Sequence, residues 1–147
     1  ITASWIKLLN GGMQQALFYR GNDTSMKLPT FYGLFFADGT YKRNAYAFSL
    51  WSRIAEHPTM MDVTLKSTSA NDTSGLSVIA GRDNAGRKAL LLSNVSSASV
   101  KAVLEGLGGY LRLYVVSDAS SSLQESTQSG MSINIPAYGV VLVTQEI

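Results

Sequence analysis

Leu76-Ser-Val-Ile-Ala and Lys88-Ala-Leu-Leu-Leu, joined across Asp83-Asn84-Ala85-Gly86, form the stretch that decides the fold. Two β-prone apolar runs around a short polar connection make a hairpin, and Gly86 can supply the left-handed residue of a bulged loop. Outward from it, similar runs recur around 60–66, 75–82, 87–95, 98–104, 110–117, 122–127, 131–135 and 138–145, with turn residues between them. Seven or eight strands within 59–147 predict an antiparallel β-sandwich, because a single sheet would leave one apolar face in water. The Ser-rich stretches at 96–99 and 120–122 are strand connections, and no internal repeat is present.

Upstream of Pro58 the period changes. Residues 2–10 place Trp5, Ile6, Leu8 and Leu9 at helical spacing until Asn10-Gly11-Gly12 stops them. Met13 to Tyr19 has little alternation, as in a strand buried on both faces, and Gly21-Asn22-Asp23 breaks it. From Asn44 to Glu56 the apolar residues Ala47, Leu50, Trp51 and Ile54 share one helical face, and Pro58 prevents continuation. Between strand and helix, Phe31 to Tyr41 is a loop with an Asp38-Gly39 turn, too aromatic for a solvated linker. The whole reads as mainly β, a sandwich at 59–147 preceded by a helix-strand-helix segment at 1–58. So short a segment cannot bury its aromatic residues alone, so it is expected to dock on the sandwich.

The chain has 147 residues, 46% hydrophobic and only 15% charged, the composition of a compact, well-buried protein. No run of 18 apolar residues exists to span a membrane, and a scattered net charge of +2 builds no cationic face for nucleic acid. The absence of cysteine excludes disulfides, thiolate metal sites and thiol nucleophiles. Sequons at Asn22, Asn71 and Asn94 carry little weight in a chain this rich in Ser and Thr. The opening Ile1-Thr2-Ala3-Ser4 has no initiator Met and no signal core, and reads as a piece of something longer.

The segment Tyr32-Gly-Leu-Phe-Phe-Ala-Asp-Gly-Thr-Tyr-Lys-Arg-Asn-Ala-Tyr-Ala-Phe-Ser-Leu-Trp51 resembles a phrase of clan A glycoside hydrolases, in the β-xylosidase and α-L-iduronidase group. In that family the phrase follows the eighth strand of a (β/α)8 barrel and opens its last helix. Lys88-Ala-Leu-Leu-Leu-Ser-Asn94 and Ile135-Pro-Ala-Tyr-Gly-Val-Val-Leu-Val143 are similar to strands of the accessory sandwich in such enzymes. Two prolines of the family phrase are replaced here by Tyr41 and Arg43. The resemblance implies the C-terminal part of a retaining glycosidase: 1–58 is the terminal barrel segment, and 59–147 a sandwich that buttresses it. The alternative is a non-catalytic β-sandwich module that binds carbohydrate or serves adhesion.

A retaining glycosidase needs two carboxyl groups about 5–5.5 Å apart. The resemblance places both upstream of Ile1, so no residue here takes a catalytic role and the chain alone is expected to be inactive. It leaves Tyr19, Arg20, Asn22 and Asp23, at the mouth of the eighth strand, as candidate sugar contacts. Asp38 shapes its Asp-Gly turn rather than touching substrate. His57, the only histidine, ends a helix where a cationic imidazole complements the dipole. No Gly-x-Ser-x-Gly elbow presents a serine, and no cluster of His and acidic residues suggests a metal or cofactor. Gly106, Gly108 and Gly109 do not fit a dinucleotide phrase and make a turn.

Both tryptophans and all five phenylalanines precede residue 58, leaving Tyr110, Tyr114 and Tyr138 in the sandwich. That favours a structural role for the sandwich over carbohydrate binding. Trp5 and Trp51 fall on helix faces with other apolar residues, so core packing is their expected use. The expected partners are the missing N-terminal barrel portion, carbohydrate, and a second copy through residues 1–58. The resemblance favours a secreted or periplasmic setting, while the residues themselves leave the compartment open.

Overall fold

The computed structural model describes residues 1–17, 21–23, 33–66 and 75–146. Among the described residues two helices, α1 (Thr2–Asn10) and α2 (Arg43–Ile54), precede eight strands. These are β1 (Thr59–Met61), β2 (Leu76–Arg82), β3 (Lys88–Asn94), β4 (Val100–Val103), β5 (Leu111–Val116), β6 (Gln124–Gln128), β7 (Ser132–Ile135) and β8 (Val140–Gln145). Each of the eight runs read from the sequence overlaps one strand, and the protein is mainly β, as expected.

Six strands form an antiparallel sheet in the order β1-β2-β3-β8-β5-β6, and β4 pairs with β7 in a second sheet. The β2–β3 hairpin pairs Arg82 with Lys88 at its closed end. There Gly86 takes φ 85°, as the bulged loop requires, and its N–H donates to the Asp83 carbonyl at 3.1 Å.

The central strands are apolar on both faces, so both faces need cover. On one side Val78, Leu92, Leu113, Val141 and Val143 pack with Ile133 and Ile135 of β7, forming the sandwich core. On the other, Ile79, Leu91, Tyr114 and Leu142 pack against Ile6 of α1 and Leu50 and Ile54 of α2. The second apolar face is therefore dried by helices, and the sandwich has a third layer. β8 lies between β3 and β5, and its Val141, Leu142 and Val143 are fully buried.

Polar contacts fix the helices in place. The Asn10 side chain donates to the Val78 carbonyl at 3.2 Å, an edge that β1, paired only with Ala80–Arg82, does not reach. Arg53 lies over the Tyr114 ring, 4.3 Å from its centroid, and donates to the phenol oxygen at 3.3 Å. After α2 the chain crosses β2 so closely that a Cβ built on Gly81 would lie 2.1 Å from the His57 carbonyl oxygen. Glycine at that strand position is what permits the crossing. Trp5 and Trp51 are half-buried, with ring centroids 5.7 Å apart, and Trp5 meets Phe48 edge-on at 4.7 Å.

One element departs from the expectation. The described part of the strand anticipated over 13–20, residues 13–17, has no regular structure and is exposed, Leu17 at 87%. A strand needs a neighbour to satisfy its backbone, and no described strand lies alongside it. Residues 18–20 lie outside the described residues.

Candidate functional site

Residues 21–23 run beside the loop that opens α2. Leu34 and Phe35 donate their N–H groups to the Gly21 carbonyl at 2.6 and 3.0 Å, and Asp23 donates to the Phe35 carbonyl at 3.0 Å. Asn22 pairs in parallel with Phe35, which pairs in turn with Tyr41. The Phe35 and Tyr41 rings meet at 5.1 Å, and Tyr41 reaches Tyr46 at 5.6 Å. The aromatic character of this loop is thus its means of packing on itself and on α2.

Of the four candidate sugar contacts, Tyr19 and Arg20 lie outside the described residues. Asn22 is exposed beside the loop. Asp23 is only 6% exposed, and its carboxylate binds Lys42 and accepts the Gly33 N–H at 2.9 Å. It therefore ties the segment after the expected strand to the first residue before α2. Lys42 was not singled out by sequence, although it stands in the quoted phrase; a lysine two residues after a turn gives no sign of its partner nineteen residues upstream. Gly33 has its reason here too, because a Cβ would lie 2.6 Å from the Asp23 oxygen.

Asp38 holds its own turn, accepting the Thr40 hydroxyl at 2.7 Å and the Thr40 N–H at 2.9 Å, with Gly39 at φ 84°. The Thr40 hydroxyl first, then the backbone N–H, pull the Asp38 carboxyl below its ordinary range. His57 is buried at the end of α2, its Nδ1 3.4 Å from the Arg53 carbonyl oxygen. Among the described residues no group of three or more His, Asp or Glu side chains could hold a metal ion.

Among the described residues the most buried polar side chain is Asn94, at the end of β3 and 1% exposed. Its Nδ2 donates to the carbonyls of Ala98 at 2.8 Å and Pro136 at 3.0 Å, and its Oδ1 accepts the Ser96 N–H at 2.9 Å. It pins the β3–β4 connection to the β7–β8 turn, a structural use that its sequon context did not suggest.

No family model matches the chain, and no curated protein sequence does. Among solved structures, it is similar to the catalytic domain of GH30 xylanase C from Talaromyces cellulolyticus, with a TM-score of 0.66 and 18% identity over 99% of this chain and 35% of that one. A GH30 endoxylanase from Clostridium papyrosolvens C71 gives 0.58 and 16% over 78% of this chain and 30% of that one. The glycoside hydrolase family 30 subfamily 8 xylanase Xyn30A from Clostridium acetobutylicum gives 0.55 and 14% over 77% and 30%. The chain spans no more than 35% of the length of these structures. The resemblance to glycoside hydrolases drawn from its sequence thus holds in three dimensions: the chain has the fold of a part of GH30 xylanases.

Proposed function

We propose that this chain is the C-terminal portion of a glycoside hydrolase, in which 59–147 buttresses a catalytic barrel completed by 1–58. One observation carries the reading most directly: α1 buries Ile6 on the sheet, while Leu8, Leu9, Met13 and Leu17 are exposed along the same helix and the segment after it. An apolar stretch of this kind is an interaction surface, and a neighbouring barrel would cover it. The fold likeness to GH30 xylanases supports the same assignment.

In this reading the nucleophile and the acid/base belong to the barrel portion upstream of Ile1. Six of the nine acidic side chains described here have basic partners: Asp23 binds Lys42, Asp83 binds Arg87, Glu105 binds Lys66, Asp118 binds Arg43, and Glu125 and Glu146 bind Arg112. Tyr19, Arg20 and Asn22 are the proposed sugar contacts, and Asp23 acts by holding their segment against Gly33 and Lys42. Without the barrel, residues 1–58 are the proposed surface for a second copy.

The test compares the isolated chain with the chain mixed with an upstream barrel fragment carrying both carboxylates, assayed on an aryl β-xyloside. Turnover is expected only in the mixture, and Arg20→Ala should then raise KM with little loss of kcat. Hydrolysis by the isolated 147 residues would overturn the proposal.

A further inference from the structure

Of the seven asparagines in the chain only Asn10 is followed by glycine. The other six precede Asp, Ala, Val or Ile, whose side chains hinder the approach of the next backbone nitrogen to the asparagine carboxamide. Glycine leaves that approach open. In such a pair the glycine nitrogen attacks the asparagine Cγ, ammonia leaves, and water opens the resulting cyclic imide to aspartate or isoaspartate.

The fold gives this pair a place where the exchange has a consequence. Asn10 is the last residue of α1 and is exposed to solvent, yet its Nδ2 donates to the Val78 carbonyl of β2 at 3.2 Å. That bond ties the end of α1 to the sheet on which the helix buries Ile6. Deamidation replaces the donor with an acceptor. A carboxylate has no proton for the Val78 oxygen, and it adds negative charge at the helix end where the macrodipole is already negative. Lys7, one turn earlier and exposed, returns little of this through a surface pair.

The geometry also sets when the reaction can occur. The Gly11 N–H donates to the Lys7 carbonyl at 3.0 Å, the Gly12 N–H to Leu9 at 2.9 Å and the Met13 N–H to Leu8 at 3.0 Å, with Gly12 at φ 89°. While this cap is closed the Gly11 nitrogen is engaged and the Asn10 backbone is helical. Attack therefore waits for the last turn to fray, an opening that helix ends make at low free energy.

We propose that Asn10 is a site of spontaneous deamidation gated by the cap of α1, and that its conversion to a carboxylate loosens α1 from β2. The proposal is built on residues of α1, its cap and β2, and does not rest on the barrel reading.

The test incubates the chain in mildly alkaline buffer, folded and in urea, and follows every asparagine by peptide mass mapping. Conversion is expected at Asn10 ahead of the other six, and about tenfold or more slower in the folded chain than in the unfolded one. Gly12→Ala puts a side chain at φ 89° and weakens the cap, so it should speed conversion in the folded chain by about three- to tenfold. Asn10→Asp should raise amide exchange in α1 by about three- to tenfold and leave β3 and β8 unchanged. If either variant does not fold, aged wild-type chain separated from unreacted chain supplies the exchange measurement, and the folded-against-urea comparison supplies the gating. Conversion led by another asparagine, equal rates in folded and unfolded chain, no conversion of the folded chain, a Gly12→Ala rate equal to wild type, or α1 exchange unchanged by the carboxylate would overturn the proposal.

Discussion

Asp23 Oδ1 accepts the Gly33 N–H at 2.9 Å in a space so tight that a Cβ on Gly33 would lie 2.6 Å from that same oxygen. The carboxylate and the glycine therefore require each other, and Lys42 closes the contact from the N-cap of α2.

Gly33→Ala should destabilise the chain by roughly 1–3 kcal/mol through overpacking. Asp23→Asn keeps the shape but loses the charge facing Lys42, for roughly 1–3 kcal/mol. Because both changes act on one contact, the double variant should fall short of their sum by more than about 0.5 kcal/mol. Urea midpoints of the four species decide this, and strict additivity would show the two residues to be energetically independent.

Leu91 and Leu92 are adjacent, and point to opposite faces of the large sheet at 0% and 3% exposure. Leu91→Ala and Leu92→Ala should each destabilise by roughly 2–5 kcal/mol, because each leaves a cavity in a packed layer. In a sheet with one wet face only one of them would do so. Chemical denaturation in which one variant loses under about 1 kcal/mol would mean that its covering layer contributes little.

Burial pushes the Asp83 carboxyl upward, but the Arg87 side chain, the Arg87 N–H and charge, and the Ala85 N–H together bring it below its ordinary value. A carboxyl lowered on folding contributes stability that is fully present above the unfolded value, near pH 4, and is lost as pH falls through the folded one. Acid should therefore weaken the β2–β3 hairpin below about pH 4. Asp83→Asn should be less stable than wild type at neutral pH and lose less stability on acidification. Parallel acid-unfolding slopes for the two proteins would contradict this.

The sequence by itself determined every element whose pattern is local. The hairpin about Asp83–Gly86, the eight β-prone runs, and the apolar face of α2 are written in neighbouring residues, and each falls within a few residues of where the structure places it. What only the tertiary structure decided depends on groups far apart in the chain. A run such as Lys88–Asn94 is apolar on both faces, but nothing in it says that one face meets β7 and the other meets helices. Asp23 reads as a polar residue after a strand, and becomes a buried partner of Lys42 only when the loop folds back over it. The run from Met13 to Tyr19 reads as a buried strand, and a local pattern cannot supply the neighbours a strand needs.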